Sequence, residues 1–98
     1  MIEITWNELK QKLNIGSVIS GTILRHEPYG VFVDIGYPYE GLIQITDFKD
    51  EGKMTPKDYP PVGSIARTVV LGFKDRWCQV WLGVKPSQFG DVDTNSKA

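Results

Sequence analysis

The chain has 98 residues, of which 41% are hydrophobic and 23% are charged. Since a typical domain has ~100–200 residues, this length excludes two full domains, and the apolar content excludes a chain that is disordered throughout. The formal net charge of −1 provides no overall positive field that would attract nucleic acid or anionic membranes. Any basic binding surface must therefore be local.

Targeting signals and metal-binding patterns are absent from the sequence. The start of the chain lacks the features of a secretory signal, and no apolar stretch approaches the roughly 20 residues of a membrane-spanning helix. We therefore expect a cytoplasmic protein with no membrane partner. Cys78 and His26 are the only residues of their types, which excludes an internal disulfide and a cysteine-based zinc cluster. No cofactor is expected, and Cys78 is interpreted as a small buried hydrophobe.

A short helix is predicted near the start of the chain. Thr5 and Glu8 have the spacing of a capping box, in which each side chain accepts a hydrogen bond from the other residue's backbone. Apolar residues then recur at helical intervals from Trp6 to Leu13. The pattern predicts a helix over about residues 6–13.

After this helix the sequence becomes rich in β-branched and aromatic runs that are separated by glycine and proline. Strands are predicted at residues 17–25, 30–35, 41–46, 64–73 and 77–82. Three of them follow one another through short turns, which favours a small closed barrel. The predicted fold class is therefore all-β: a five-stranded antiparallel OB-fold barrel with a short N-terminal helix.

The chain divides into a helix and lead-in at residues 1–14, a barrel domain at residues 15–89 and a disordered tail at residues 90–98. The long segment after the third strand is predicted to be a surface excursion with a helical turn before Pro60. This segment mixes both signs of charge: Lys49, Lys53 and Lys57 lie among Asp47, Asp50, Glu51 and Asp58. Because these charges give no net positive charge, the segment is not interpreted as a binding arm.

Alternation along the strands predicts which side chains face outward. In the second strand, Val31 and Val33 should face the core, which leaves Phe32 exposed on the outer surface. The same rule turns Gln44 of the third strand and Gln79 of the fifth strand outward, while Val80 and Leu82 face inward. The outer surface of the barrel is therefore expected to be aromatic and amide-rich.

Exposed rings on this surface suggest base stacking, which tolerates any nucleotide sequence. A bulge at Gly30 would bring the rings of Tyr29 and Phe32 to the same face. Trp77 and Trp81 are also predicted to point outward, but large rings usually stabilise cores first. The favoured interpretation is that these tryptophans cover one end of the barrel or pack on the helix, and stacking is the alternative.

Three segments with characteristic glycine and hydrophobic spacing resemble the S-one (S1) RNA-binding domain family, a group of OB-fold modules named after a ribosomal protein. These segments are residues 15–23, 29–34 and 41–46, and the likeness continues through residues 59–65 and 80–85. The resemblance covers about residues 15–86. It implies the OB-fold and RNA as a partner.

The resemblance also implies an RNA-facing surface. Tyr29 and Phe32 correspond to two aromatics on the second strand of the family, and Asp75 corresponds to an aspartate in the turn between the fourth and fifth strands. Gln44 stands where a histidine is common, and Gln79 stands where an arginine is common. A glutamine keeps hydrogen bonding to base edges but supplies no cation, so phosphate attraction is lost at both positions.

Four basic residues at strand ends are candidates for phosphate contacts: Arg25, Lys74, Arg76 and Lys85. Arg76 offers a substitute for the missing arginine from the adjacent turn. The alternative for all four is ordinary solvation of the surface. The predicted RNA-binding set consists of Tyr29, Phe32, Gln44, Asp75, Gln79, Arg25, Lys74 and Arg76.

No catalytic arrangement is found, because the sequence has one histidine, no nucleophile elbow and no phosphate-binding loop. The sequence therefore predicts a non-enzymatic module that binds single-stranded RNA, either ribosomal RNA or mRNA, with low sequence selectivity and a role at the ribosome or in RNA metabolism. The alternative is a protein-interaction or ribosome-docking module that uses the same outer face to bind a protein partner. Salt dependence distinguishes the two.

Overall fold

A computed structural model describes residues 3–89 as one helix and five strands. The helix α1 spans Trp6–Lys12, and the strands are β1 Val18–Glu27, β2 Gly30–Asp34, β3 Gly41–Gln44, β4 Ile65–Lys74 and β5 Gln79–Gly83. Both halves of the Thr5–Glu8 capping box are present at the start of α1. The predicted helix and the five predicted strands are therefore confirmed, except that β3 ends at Gln44 rather than at residue 46 and β5 begins at Gln79 rather than at residue 77. The predicted tail at residues 90–98 lies outside the described residues.

The strands form a closed barrel in the order β1-β2-β3-β5-β4, with β4 pairing back to β1. Four of the pairings are antiparallel, as predicted, and the pairing of β3 with β5 is parallel. This parallel pairing requires a long connection, which the segment between β3 and β4 and the strand β4 together provide. The five-stranded OB-fold barrel is confirmed.

The barrel interior is filled by the aliphatic side chains that alternation predicts. Val31, Val33, Ile43, Val80 and Leu82 are all fully buried in one core cluster. Burial of each such side chain contributes roughly 1.5–3 kcal/mol to folding. The opposite faces of β2, β3 and β5 are thereby fixed on the outside of the barrel.

The predicted bulge at Gly30 is wrong, because the irregularity lies in the neighbouring strand. Ile23 pairs with Val33 and Arg25 pairs with Phe32, so Leu24 is the extra residue of a bulge in β1. Gly30 is instead required for close packing, since a Cβ atom there would lie 2.3 Å from the carbonyl oxygen of Ile43. The bulge reverses the alternation of β1 and turns Arg25 to the same outer face as Phe32.

Helix α1 buries Leu9 in the core cluster and makes further contacts with the barrel through Trp6 and Lys10. The Trp6 ring makes edge contacts with Tyr39 and Phe73, at centroid distances of 5.4 and 5.9 Å. Trp6 Nε1 and Lys10 Nζ each donate a hydrogen bond of 2.8 Å to Asp75 Oδ1. The carboxylate of Asp75, in the turn after β4, therefore holds α1 against the barrel.

This contact predicts an acid-sensitive attachment of α1. The hydrogen bonds from Lys10 and from Trp6 lower the pKa of Asp75 below the usual aspartate value of 3.8. Because a lowered pKa means that the docked helix favours the charged carboxylate, the contact is present above pH 3.8 and is lost as the pH falls through the lowered pKa. The indole N–H signal of Trp6 in NMR spectra should titrate with a midpoint below 3.8.

The variant Asp75→Asn serves as the control, because its amide does not titrate. The acid shift of the Trp6 indole signal should be absent in this variant. A midpoint at or above the usual aspartate value in the unmodified protein would contradict the contact.

Candidate nucleic-acid interface

A pocket of about 350 Å³ opens on the outer face of the barrel. Its lining residues are Tyr29, Leu42, Gln44, Lys74, Trp77 and Gln79. This volume lies at the lower end of the roughly 300–1,000 Å³ that small-ligand pockets occupy. The lining combines two aromatic rings, two amides and one ammonium group, and we call this cavity the aromatic pocket.

The strand pairings explain why these residues meet. Gly30 of β2 pairs with Gln44 at the end of β3, which places Tyr29 beside Gln44. Lys74 at the end of β4 pairs with Gln79 at the start of β5. Because β5 lies next to β3, the two sides of the pocket are brought together across this parallel pair.

Tyr29 and Trp77 present the exposed rings of the aromatic pocket. Tyr29 lies in the turn between β1 and β2 and is 52% exposed, and Trp77 is 61% exposed. The favoured interpretation, in which Trp77 covers the barrel end or packs on the helix, is wrong, because the ring is 61% exposed in a turn that extends from Asp75 through Cys78. Trp77 is therefore part of a projecting turn rather than the predicted first residue of the strand.

Cys78 and Trp81 also differ from Trp77 in their surroundings. Cys78 is half-buried in the turn, with a backbone φ of 51°, and the predicted full burial is wrong. Trp81 is half-buried, and its Nε1 donates a hydrogen bond of 2.9 Å to the buried Asp47. Trp81 therefore fits the interpretation that the ring stabilises the fold, whereas Trp77 has the exposure that base stacking requires.

The prediction that Phe32 is exposed is wrong. The ring does face away from the barrel core, but it is only 4% exposed. Arg25 covers it, with the guanidinium carbon 4.0 Å from the ring centroid, and the Tyr29 ring makes an edge contact at 6.1 Å. The bulge in β1 is the physical reason, because it turns Arg25 onto the face that Phe32 occupies.

Arg25 is held over Phe32 by acidic neighbours. Its Nη1 and Nη2 atoms donate hydrogen bonds of 3.0 Å each to the two carboxylate oxygens of Glu40, and Glu27 lies 3.8 Å from Nε. The hydrogen bonds to Glu40 raise the pKa of Arg25 above its ordinary value. This bidentate geometry fixes the guanidinium group in one orientation. The cation of Arg25 is therefore already paired within the protein.

The remaining predicted residues divide between the pocket and its surroundings. Gln44, Gln79 and Lys74 line the pocket together with Tyr29. Asp75 points to α1, as described above, and the guanidinium carbon of Arg76 lies 5.0 Å from the Trp77 ring centroid. Leu42 and Trp77 are the lining residues that the predicted set omits, and the place of Trp77 in a polar turn is the signal that the sequence offers for it.

The pocket is suited to neutral flat groups with polar edges. Within residues 3–89, the side-chain amides of Gln44 and Gln79 form no hydrogen bond to another group, so their donors and acceptors face the pocket unused. Lys74 is the one charged lining residue, and its ammonium nitrogen lies 5.1 Å from the Trp81 ring centroid.

No cluster of three or more metal-ligating side chains occurs in the described part of the chain. Over the same residues, no helix has the length and hydropathy to span a membrane.

The fold and the pocket define an OB-fold domain, and comparison with known proteins gives the family. The family model for the S1 RNA binding domain matches residues 12–77, more than half of the chain. The chain therefore belongs to the S1 RNA-binding domain family, as the sequence resemblance predicts.

Two kinds of relatives accompany this match. Small ribosomal subunit protein bS1 of Streptococcus pneumoniae is 29% identical over 86 residues, which cover 88% of this chain and 21% of that protein. The chain thus spans about a fifth of the length of this curated relative. GSP13 from Bacillus subtilis has a TM-score of 0.68 at 22% identity and covers 87% of this chain and 65% of that one. A chain of the a/eIF2alpha-aDim2p-rRNA complex from Pyrococcus horikoshii has a TM-score of 0.64 at 21% identity. The match covers 76% of this chain and 48% of that one. These structures show the shared fold.

The different burial of Tyr29 and Phe32 predicts different effects on stability. Phe32→Ala should lower the free energy of unfolding by about 3 kcal/mol, because it leaves a cavity beneath Arg25. Tyr29→Ala should lower it by about 1 kcal/mol or less, since it removes one edge contact from a half-exposed ring. Urea unfolding of both variants measures the difference, and equal effects would contradict the covered position of Phe32.

Proposed function

We propose that this domain binds single-stranded RNA by inserting a base into the aromatic pocket, between the rings of Tyr29 and Trp77. The proposal rests on two exposed rings and two side-chain amides without hydrogen-bond partners that line one cavity of about 350 Å³. A base stacked on either ring gains roughly 1–3 kcal/mol. Gln44 and Gln79 then contribute hydrogen bonds to the base edge or the ribose.

This arrangement predicts low sequence selectivity. Every base has a flat face for stacking, and a glutamine amide both donates and accepts, so it can adapt to different base edges. Lys74 supplies the nearest cation for a phosphate group, and Arg76 lies beside Trp77 on the same turn. In this proposal Arg25 and Phe32 support the pocket from below, because their faces are already in contact with each other.

The comparisons support RNA as the partner. The family is defined by RNA binding, and the bS1 relative is a ribosomal protein. The Pyrococcus horikoshii chain with the same fold belongs to a complex that includes rRNA. We propose on this basis a cytoplasmic role with ribosomal RNA or mRNA, at the ribosome or in RNA metabolism.

Removal of both rings of the aromatic pocket should abolish most of the binding. We expect Tyr29→Ala and Trp77→Ala each to weaken the affinity for an oligouridylate by about tenfold or more, in line with the loss of one stacking contact. The affinity is measured by fluorescence anisotropy of a labelled oligonucleotide. The double variant should remain folded, because both rings are largely exposed.

Ile65→Ala is the matched control, since Ile65 is an exposed apolar residue that does not line the aromatic pocket. Its affinity for the oligonucleotide should equal that of the unmodified domain. A folded Tyr29→Ala/Trp77→Ala double variant with unchanged affinity would contradict the proposed function. If the face binds a protein instead, RNA affinity should be absent, and the partner's affinity should change little between roughly 50 and 200 mM salt.

A further inference from the structure

A second cavity, of about 440 Å³, lies where the segment between β3 and β4 meets the exit of β5. Lys49, Lys53 and Lys85 line it together with Asp50. Ile45 and Met54 contribute apolar surface to its wall. We call this cavity the lysine pocket.

The fold brings the three lysines together from separate parts of the chain. Gly52 has a φ of 79°, a left-handed conformation that tightens the loop between Lys49 and Lys53. Lys85 follows the last strand and reaches the same cavity from the other side. The sequence pattern does not show this meeting, because Lys85 is distant from the other two along the chain.

The acids of this segment are engaged in holding the structure together. Asp47 is buried and accepts hydrogen bonds from Trp81 Nε1 and from Gln88 Nε2, each at 2.9 Å. Asp50 accepts hydrogen bonds from the backbone N–H of Ser87, at 3.1 Å, and from the Ser87 hydroxyl. These bonds fasten the chain after β5 to the segment between β3 and β4.

The acids farther along the segment lie outside the lysine pocket. Asp58 accepts a hydrogen bond of 2.8 Å from the Thr55 hydroxyl, and Glu51 does not line the cavity. The lack of net positive charge along the segment therefore conceals a spatial separation of charge, because the lysines are gathered at the cavity and most of the acids do not line it.

The lysines have no ion-pair partner within the described part of the chain. Within 4.0 Å, the ion pairs of residues 3–89 involve Lys10 and Arg25 but none of the three lysines of this cavity. Asp50 is the one carboxylate in the lining, and its oxygens accept the hydrogen bonds from Ser87. The cavity thus has an excess of positive charge that an external anion can neutralise.

The lysine pocket and the aromatic pocket both take lining residues from the end of β3. Gln44 lines the aromatic pocket and Ile45 lines the lysine pocket, and these residues are consecutive at the end of β3. Their Cα atoms are therefore only about 3.8 Å apart.

We propose that the lysine pocket is a second subsite that binds the phosphodiester backbone of the same RNA strand. Lys49, Lys53 and Lys85 contact phosphates of nucleotides that flank the base held between Tyr29 and Trp77. This inference rests on the proposed function, and it corrects the sequence-based interpretation that the segment between β3 and β4 is not a binding arm.

The test compares two variants that each lose two positive charges. Lys49→Gln/Lys53→Gln alters the lysine pocket, whereas Lys12→Gln/Lys57→Gln alters exposed lysines that line neither cavity. Affinities are measured for an oligouridylate of about 12 nucleotides, because an OB-fold occupies roughly 4–16 nucleotides, and for the nucleoside uridine, which carries no phosphate. The Tyr29→Ala/Trp77→Ala variant is measured in parallel.

For the longer oligonucleotide, Lys49→Gln/Lys53→Gln should bind more weakly than the unmodified domain. A plot of its log affinity against log salt concentration should be less steep than that of the unmodified domain by about 1.4. The ratio of the unmodified domain's affinity to the variant's affinity should therefore fall about sevenfold between roughly 50 and 200 mM salt. Uridine should bind both proteins equally, because it fills the aromatic pocket and carries no phosphate. The control variant should match the unmodified domain with both ligands to within about twofold.

Equal losses in the two lysine variants would overturn the inference, because they would indicate a general charge effect. An unchanged salt slope in Lys49→Gln/Lys53→Gln would also overturn the inference. In that case the proposed function stands if the aromatic variant, Tyr29→Ala/Trp77→Ala, loses affinity. Unchanged binding by the aromatic variant contradicts the proposed function itself. The two failures are therefore distinguishable.

Discussion

The parallel pairing of β3 with β5 is the constraint on which the rest of the structure depends. It closes the barrel with Leu42 beside Trp81, and it fixes Gln44 and Gln79 on the same outer face. The interior partners Ile43 and Leu82 are fully buried in this register. A slip of one residue would exchange the two faces and expose these aliphatic side chains, so core burial holds the pocket in place.

The outer face divides its aromatic residues between support and recognition. Phe32 lies under Arg25, and Glu40 holds that guanidinium group in position, so this end of the face is closed and rigid. Tyr29 contacts the edge of Phe32 and leaves about half of its own surface open. Preorganisation of this kind reduces the entropy lost when a base binds.

Electrostatics complement this division. The aromatic pocket carries one cation and two amides, which suits an uncharged base, while three lysines without an ion-pair partner among residues 3–89 line the lysine pocket. A domain with a net charge of −1 can therefore present a local basic surface. The carboxylates contribute by holding loops: Asp75 holds α1, and Asp47 and Asp50 hold the chain after β5.

Much of the fold follows from the sequence, because period-two burial is a local pattern. The predicted core positions of Val31, Val33, Val80 and Leu82 are correct for this reason. Alternation also gave the correct face for Phe32 but not its exposure, since the covering group comes from the neighbouring strand through an unpredicted bulge.

The candidate site was less predictable, because it depends on the directions of turn and loop side chains. Trp77 was assigned to a strand, whereas it belongs to a turn that projects its ring into solvent. The lysine pocket was missed because a sum of charges along a segment contains no information on where each side chain points. Hydrogen bonds from Ser87 and Gln88, both distant in sequence, determine where Asp50 and Asp47 lie.

The central claim is that a nucleobase lies between Tyr29 and Trp77. Intermolecular nuclear Overhauser effects between an unlabelled oligouridylate and the isotope-labelled domain measure this placement directly. The structure predicts effects from the uracil protons to the rings of Tyr29 and Trp77, together with contacts to the side-chain amides of Gln44 and Gln79. Bound RNA whose base protons contact other parts of the barrel, and neither of these rings, would contradict the account.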